Sequence, residues 1–303
     1  MDMKAATMIL LAAILIPGII VKVKALTSGR KGPGLLQPML DILRLLRKGS
    51  VYSTTSSIAT QIAPTVYFIS VFTALWLVPM GDEASFIHFS GDILVFTYML
   101  GLGKFFLILN ALDAGSGFEG MGANREAFYS LLAEPALLML LGTFSMMTSY
   151  DSFSLIFAHW DLATGSSLVL AALAAYLLLQ LSLIENSRLP VDDPKTHLEL
   201  TMVHEVMVLD NSGFDLGIIQ FANALKFGIF SALIANFLAP DREGVWEMIL
   251  FGGIMLCYAV VVGLLESFRA RFKMEKNPQF ILTLTSVAAL TFIVALIITN
   301  KLL

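Results

Sequence analysis

Cysteine is almost absent from this 303-residue chain. Cys257 stands alone, which excludes an intrachain disulfide and any multi-cysteine metal or iron–sulfur site within it. Charge is scarce: Asp, Glu, Lys and Arg together make up 14% of the residues, against 57% hydrophobic. Histidine occurs four times. No Walker or dinucleotide glycine spacing occurs, so a phosphate cradle of either kind is excluded. The HEVMV stretch at 204–208 begins like a zinc-protease helix but lacks the second histidine, and no metal site is expected. Low-complexity tracts and convincing internal repeats are missing as well, which weighs against an inverted-repeat transporter.

What fills the chain instead is long apolar runs. Mean hydropathy is +0.81, and eight windows of helical length appear at 5–23, 58–79, 93–112, 127–147, 166–184, 216–238, 246–268 and 280–298. Each is long enough to cross roughly 30 Å of hydrocarbon at about 1.5 Å per residue. Barrel strands would instead alternate apolar and polar residues over about 10 positions. The expected fold is all-α: a single polytopic transmembrane domain of eight helices with amphipathic loop helices. The first run, with one basic residue before it and no clear small-residue cleavage pattern, reads as a retained span rather than a cleaved signal.

Basic residues are distributed unevenly between the links. Lys22, Lys24, Arg30, Lys31, Arg44, Arg47, Lys48, Arg125, Arg188, Lys195, Arg269, Arg271, Lys273 and Lys276 follow odd-numbered spans, whereas Lys4, Arg242 and Lys301 lie on the other side. The positive-inside rule places the odd-numbered links in the cytoplasm and both termini outside. The expected location is the cytoplasmic (inner) membrane. The first link, 24–52, carries Leu35, Leu36, Met39, Leu40, Leu43 and Leu46 at helical spacing. Such a stripe suits an amphipathic helix on the membrane surface or against a partner, and a basic anchor that only fixes topology fits it equally.

Lys104, Glu134 and Lys226 fall inside three different spans. A charge at such depth is penalised by several kcal/mol unless paired or hydrated, so each needs a reason. All three lie in one layer, a third to halfway across from the cytoplasmic side. Pro135 follows Glu134 and removes a backbone donor there, making an acid beside a loosened turn. Two readings stay open: a proton-relay station, or a buried ion pair of Glu134 with one lysine that fixes helix packing. Asn110, Gln180, Tyr176 and Tyr258 are candidates for extending a hydrated path.

One polar stretch interrupts the apolar pattern. Segment 185–213, ENSRLPVDDPKTHLELTMVHEVMVLDNSG, gathers Glu185, Arg188, Asp192, Asp193, Lys195, His197, Glu199, His204, Glu205 and Asp210. Pro190 and Pro194 stop span five from continuing, and a helix is expected to restart near Lys195. It reads either as a solvated acidic loop or as a proton-conducting or partner-facing surface, since His and buried carboxylates titrate in the useful range. A second polar link, NALDAGSGFEGMGANREA, precedes span four and carries Asp113, Glu119, Arg125 and Glu126.

Three spaced motifs occur in order: RKGPGLLQP with Asp41 in the first link, Arg125 with Glu134 nine residues on, and E-x-x-R-x-P-x-D from Glu185 to Asp192. In these, over nearly its whole length, the chain resembles the subunit 1 (H subunit) family of respiratory complex I and of membrane-bound group 4 [NiFe]-hydrogenases. ALDAGSGFEGMGANREA, with Lys104 nine residues before Asp113, is similar to the formate hydrogenlyase and hydrogenase-4 branch. Lys195 and His197 stand where quinone-reducing members typically carry a richer acidic run.

The resemblance implies a non-catalytic membrane coupling subunit that links electron transfer to proton or sodium translocation. No cofactor is implied in this chain. The [NiFe] centre and iron–sulfur clusters would belong to a hydrogenase-like large subunit and a small iron–sulfur subunit, with antiporter-like subunits as membrane neighbours. A quinone chamber is the alternative, and a freestanding ion transporter the third; no nucleic acid is expected. The implied proton path comprises Lys104, Glu134, Lys226, Glu185, Asp192, Asp193, His197, Glu199, His204, Glu205 and Asp210. The implied partner interface comprises Arg30, Lys31, Gly32, Pro33, Asp41, Asp113, Glu119, Arg125, Glu126 and Arg188.

Overall fold

The computed structural model describes residues 3–54, 56–162, 165–193, 202–239 and 245–299. It is helical throughout, without a strand among the described residues. Among the described residues eight helices are long and apolar enough to cross a membrane: α1 (Lys4–Thr27), α3 (Ile58–Leu77), α4 (Asp92–Asp113), α5 (Gly117–Thr148), α7 (Gly165–Glu185), α9 (Gly213–Leu238), α10 (Val245–Phe268) and α11 (Lys276–Ile298). Between them lie three shorter helices, α2 (Gln37–Leu46), α6 (Phe153–Ala158) and α8 (His204–Met207).

α9 is the central post. In its most apolar window 83% of the residues are buried, against 28% for α11, and α1, α2, α3, α7 and α10 all pack on it. Water does not drive apolar helices together inside a membrane, so close approach must come from small residues. A Cβ at Gly228 of α9 would sit 2.7 Å from the Ile9 carbonyl oxygen of α1, and one at Gly263 of α10 would sit 2.8 Å from Val23 Cβ. These two glycines let α1 lie against both neighbours.

The ends of the bundle are tied by polar groups. Asp113 accepts from the Ser57 N–H at 2.8 Å, the Thr60 N–H at 3.2 Å and the Thr60 hydroxyl at 2.6 Å, so it completes the N-terminal cap of α3. At the opposite end, Asn236 donates to the Pro79 carbonyl and accepts from the Gly81 N–H, both at 2.9 Å. Beside it Phe144, Trp160, Phe157 and Phe237 form a buried aromatic group with ring centroids 4.1 to 6.5 Å apart.

One expectation is corrected. The helix of span four starts at Gly117 rather than near Ala127: once Gly115 has made the turn at φ +70°, nothing in GFEGMGANREA stops a helix. Glu119, Arg125 and Glu126 are therefore helical rather than on an open link. The first link carries the expected helix as α2, with its leucine stripe turned away from the bundle. Leu35, Leu36, Leu40 and Leu43 are exposed, while Ile42 is buried and Leu45 half-buried.

Candidate functional site

The end of α7 brings the scattered charges together. Glu185, the last residue of that helix, places Oε1 2.8 Å from Lys104 Nζ of α4 and Oε2 3.5 Å from Lys226 Nζ of α9. Lys226 also donates to the Glu185 backbone carbonyl at 2.7 Å, and Lys104 has a second acid, Glu126 of α5, at 3.2 Å. Two ammonium groups and two carboxylates from four helices thus form one buried, neutral cluster. Each member is tolerable there only because the others are present.

Glu134 is not the lysine partner that the ion-pair reading supposed. It lies half-buried two turns along α5 from Glu126, and Glu126 takes the place at Lys104. Glu134 instead shares a narrow space with Glu185, Thr97 and Gly101. A Cβ on Gly101 would lie 3.3 Å from Glu134 Oε1, so the missing side chain leaves room for the carboxylate. Tyr258 is taken up by a hydrogen bond to Ser182 at 2.7 Å, and Tyr176 is exposed. Asn110 and Gln180 are buried, and among the described residues both polar atoms of the Asn110 amide and the Gln180 oxygen have no hydrogen-bond partner.

A cavity of about 600 Å³ opens at the basic end, between α1, α2, α9 and the segment after α7. Asp41, Arg188, His204 and Glu205 line it, together with Pro33 and Phe227. The cavity wall is braced by a second set of ion pairs. Glu266 of α10 receives Lys24 of α1 at 2.7 Å and Arg188 at 3.3 Å, and the Arg188 guanidinium carbon lies 5.1 Å from the centroid of the Phe227 ring. Asp192 accepts from the backbone N–H groups of Val203 and His204 at 3.2 and 3.1 Å and from Arg271 at 2.8 Å, fixing the start of α8.

The remaining positions divide into three groups. Asp193 is half-buried and donates its N–H to Asp192. Asp210 is exposed, its N–H held by the buried Glu119 carboxylate at 3.0 Å. His197 and Glu199, with Pro194 and Lys195, lie outside the described residues. Arg30, Lys31 and Gly32 are exposed beyond α1, with Lys22 donating to the Lys31 carbonyl, and Asp41 is exposed and paired with Arg44 at 2.9 Å. Arg125 donates to the Met202 carbonyl at 3.0 Å. Glu126, at 4% exposure, and Glu119, at 1%, are turned inward rather than presented to a partner.

Sequence reasoning missed Glu266, Arg271, Tyr67 and Asn223. The first two carried a readable signal, a lone acid near the end of an apolar helix and a base facing an acidic link. Tyr67 and Asn223 carried none, because one aromatic and one amide inside apolar runs are ordinary packing residues.

His204 sits outside the spans, and burial pushes its imidazole down to about 3, helped by the charges of Lys226, Lys104 and Arg188. The folded chain then binds fewer protons at this site than the unfolded chain between about pH 3 and the ordinary histidine value of about 6.5, so stability falls as pH falls through that window. Asp192, which burial pushes upward, acts with the opposite sign, so wild type must be compared with His204→Gln. Taking pH from 7.5 to 5 should cost wild type roughly 2 kcal/mol more than the variant, read from thermal unfolding in detergent. Equal losses would mean that His204 takes up its proton as readily in the folded chain as in the unfolded one.

Known proteins supply the family. The model of the family described as NADH dehydrogenase matches residues 3–297. Formate hydrogenlyase subunit 4 of Escherichia coli (strain K12) is 28% identical over 290 residues, covering 90% of this chain and 91% of that protein. Hydrogenase-4 component C of the same organism is 28% identical over 237 residues, covering 78% and 73%. In fold, a chain of the membrane-bound sulfane sulfur reductase, an archaeal respiratory membrane complex, superposes with a TM-score of 0.80 at 19% identity, covering 97% of this chain and 98% of that one. Matched over nearly its full length, this chain of eight apolar helices belongs to the NADH dehydrogenase family.

Proposed function

We propose that this chain is the membrane coupling subunit of a group 4 [NiFe]-hydrogenase or formate hydrogenlyase type complex, moving protons or sodium as electrons pass through partner subunits. The observation that carries this reading is the buried Lys104–Glu185–Lys226 bridge lying next to a cavity at the basic end. A carboxylate held between two ammonium groups responds to charge arriving at either one. Glu134, which shares its space with Glu185, is the next group able to take a proton. The E. coli subunits named above support the hydrogenase branch. Purification of the native complex tests it: a [NiFe] large subunit, a small iron–sulfur subunit and antiporter-like subunits should co-elute, and a chain running stably alone would contradict it.

Glu134→Gln is expected to lower turnover-driven ion uptake by at least about tenfold, a proton-transfer group being worth about 10²–10⁴, while hydrogenase assembly and electron transfer persist. Unchanged uptake by an intact complex would remove Glu134 from the path. A second reading is favoured by the cavity, which at about 600 Å³ falls in the range of small-molecule sites, about 300–1,000 Å³. In that reading the chain walls a quinone chamber; quinol formation blocked by quinone-site inhibitors would select it.

A further inference from the structure

Three residues from three helices are joined end to end. The Tyr67 hydroxyl of α3 donates to Asn223 Oδ1 of α9, and Asn223 Nδ2 lies 3.0 Å from Nε2 of His204 on α8. An amide nitrogen only donates, so Nε2 is the acceptor and the neutral ring carries its proton on Nδ1. At one end of this chain His204 and Asn223 line the large cavity. At the other end Tyr67 is fully buried, and Lys226, which holds Glu185, lies 5.3 Å from its ring centroid.

A second arrangement keeps both contacts. With the Asn223 amide turned over, Oδ1 faces His204 and Nδ2 faces Tyr67. Nε2 must then carry the imidazole proton, and the Tyr67 oxygen becomes an acceptor. The balance is closed: one proton leaves Nδ1 for the cavity, one is taken up at Nε2 from it, and the amide gains and loses nothing. The freed Tyr67 proton turns away from Asn223, inside the buried surroundings that the Tyr67 ring shares with Lys226. Because each arrangement makes the same number of hydrogen bonds, a group in the cavity chooses between them through its contact with Nδ1. An acceptor there holds the first, and a donor imposes the second.

We propose that Asn223 is a two-position link by which a ligand or charge in the cavity sets the direction of the Tyr67 hydroxyl beside the Lys226–Glu185 pair. Tyr67, Asn223 and His204 are thus positioning residues for ion coupling. This rests on the coupling function proposed above. It adds the group through which that cavity addresses the cluster.

The test uses the native complex with ¹⁵N-labelled histidine, the His204 signals being assigned by their loss in His204→Gln. Wild type should show an unprotonated Nε2. Asn223→Asp replaces the amide by a group that only accepts, so Nε2 should become protonated. Tyr67→Phe keeps the ring but removes one hydrogen bond from either arrangement and with it the hydroxyl that orients the amide, so a protonated-Nε2 population should appear beside the unprotonated one. In Asn223→Asp, ions taken up per electron should fall at least about tenfold while electron transfer continues. An Nε2 signal unmoved in both variants overturns the link, and a moved signal with unchanged ions per electron overturns its coupling role. If the wild-type complex takes up no ions, the coupling function itself fails, and the Nε2 signals still uphold or refute the link.

Discussion

Glu185→Gln should abolish turnover-driven ion uptake and destabilise the folded chain by about 3–5 kcal/mol, the cost of breaking a buried ion pair by removing one partner. The reason is its position between Lys104 at 2.8 Å and Lys226 at 3.5 Å, all three buried. Glutamine keeps the shape and one oxygen but leaves two ammonium groups facing each other, with Glu126 able to answer only Lys104. The same change made together with Lys226→Met removes the unanswered charge, so the pair should recover at least half of the lost stability. Ion uptake should stay absent, because the path is still cut. Thermal unfolding of the detergent-solubilised complex reads the first quantity and ion uptake by inverted vesicles the second. Full stability in the single variant would show that the cluster is hydrated and its charges independent.

The second large effect is a backbone one. Gly213→Ala is expected to destabilise the chain by more than about 2 kcal/mol and to disorganise the large cavity at a distance. Gly213 opens α9 at φ +54°, and a Cβ there would lie 2.1 Å from the Gly49 carbonyl oxygen and 3.1 Å from that of Lys48. Backbone cannot give way as a side chain can. Segment 45–52 cradles the start of α9: Leu45 and Leu46 close on Gly217, Ser50 Oγ accepts from the Asp215 N–H at 3.3 Å, and Ser212 Oγ accepts from the Val51 N–H at 3.0 Å. Displacing that segment drags α2, whose Asp41, Ile42 and Leu45 line the cavity. Limited proteolysis of the first link should therefore accelerate along with the loss of thermal stability. A variant that melts and is cleaved like wild type would show that residues 45–52 move freely from α9.

The eight helices were legible because apolar length is a one-dimensional property. What pairs with what was not. Glu185 reads as the first residue of a polar link, yet the helix carries it inward until it meets two lysines from other spans. Glu126 reads as part of a partner-facing loop because an acid beside Arg125 resembles one, and only the early start of α5 turns it toward Lys104. Glu134, the acid the sequence puts forward as a lysine partner, is displaced from that role by these two. Helix rotation and packing decide each case, and both depend on contacts far apart in sequence, such as Gly228 against Ile9. In α2 periodicity finds the apolar face that stays exposed, Leu36, Leu40 and Leu43, but gives no sign that Ile42 and Leu45 fill the space beside α9.

The most direct test of the coupling function is ion uptake by inverted membrane vesicles that carry the native complex, measured alongside its electron transfer. Uptake that starts with turnover, stops with it, and is lost in Glu185→Gln while electrons still pass is the predicted result. Full electron transfer with no ion uptake by the unaltered complex would contradict it.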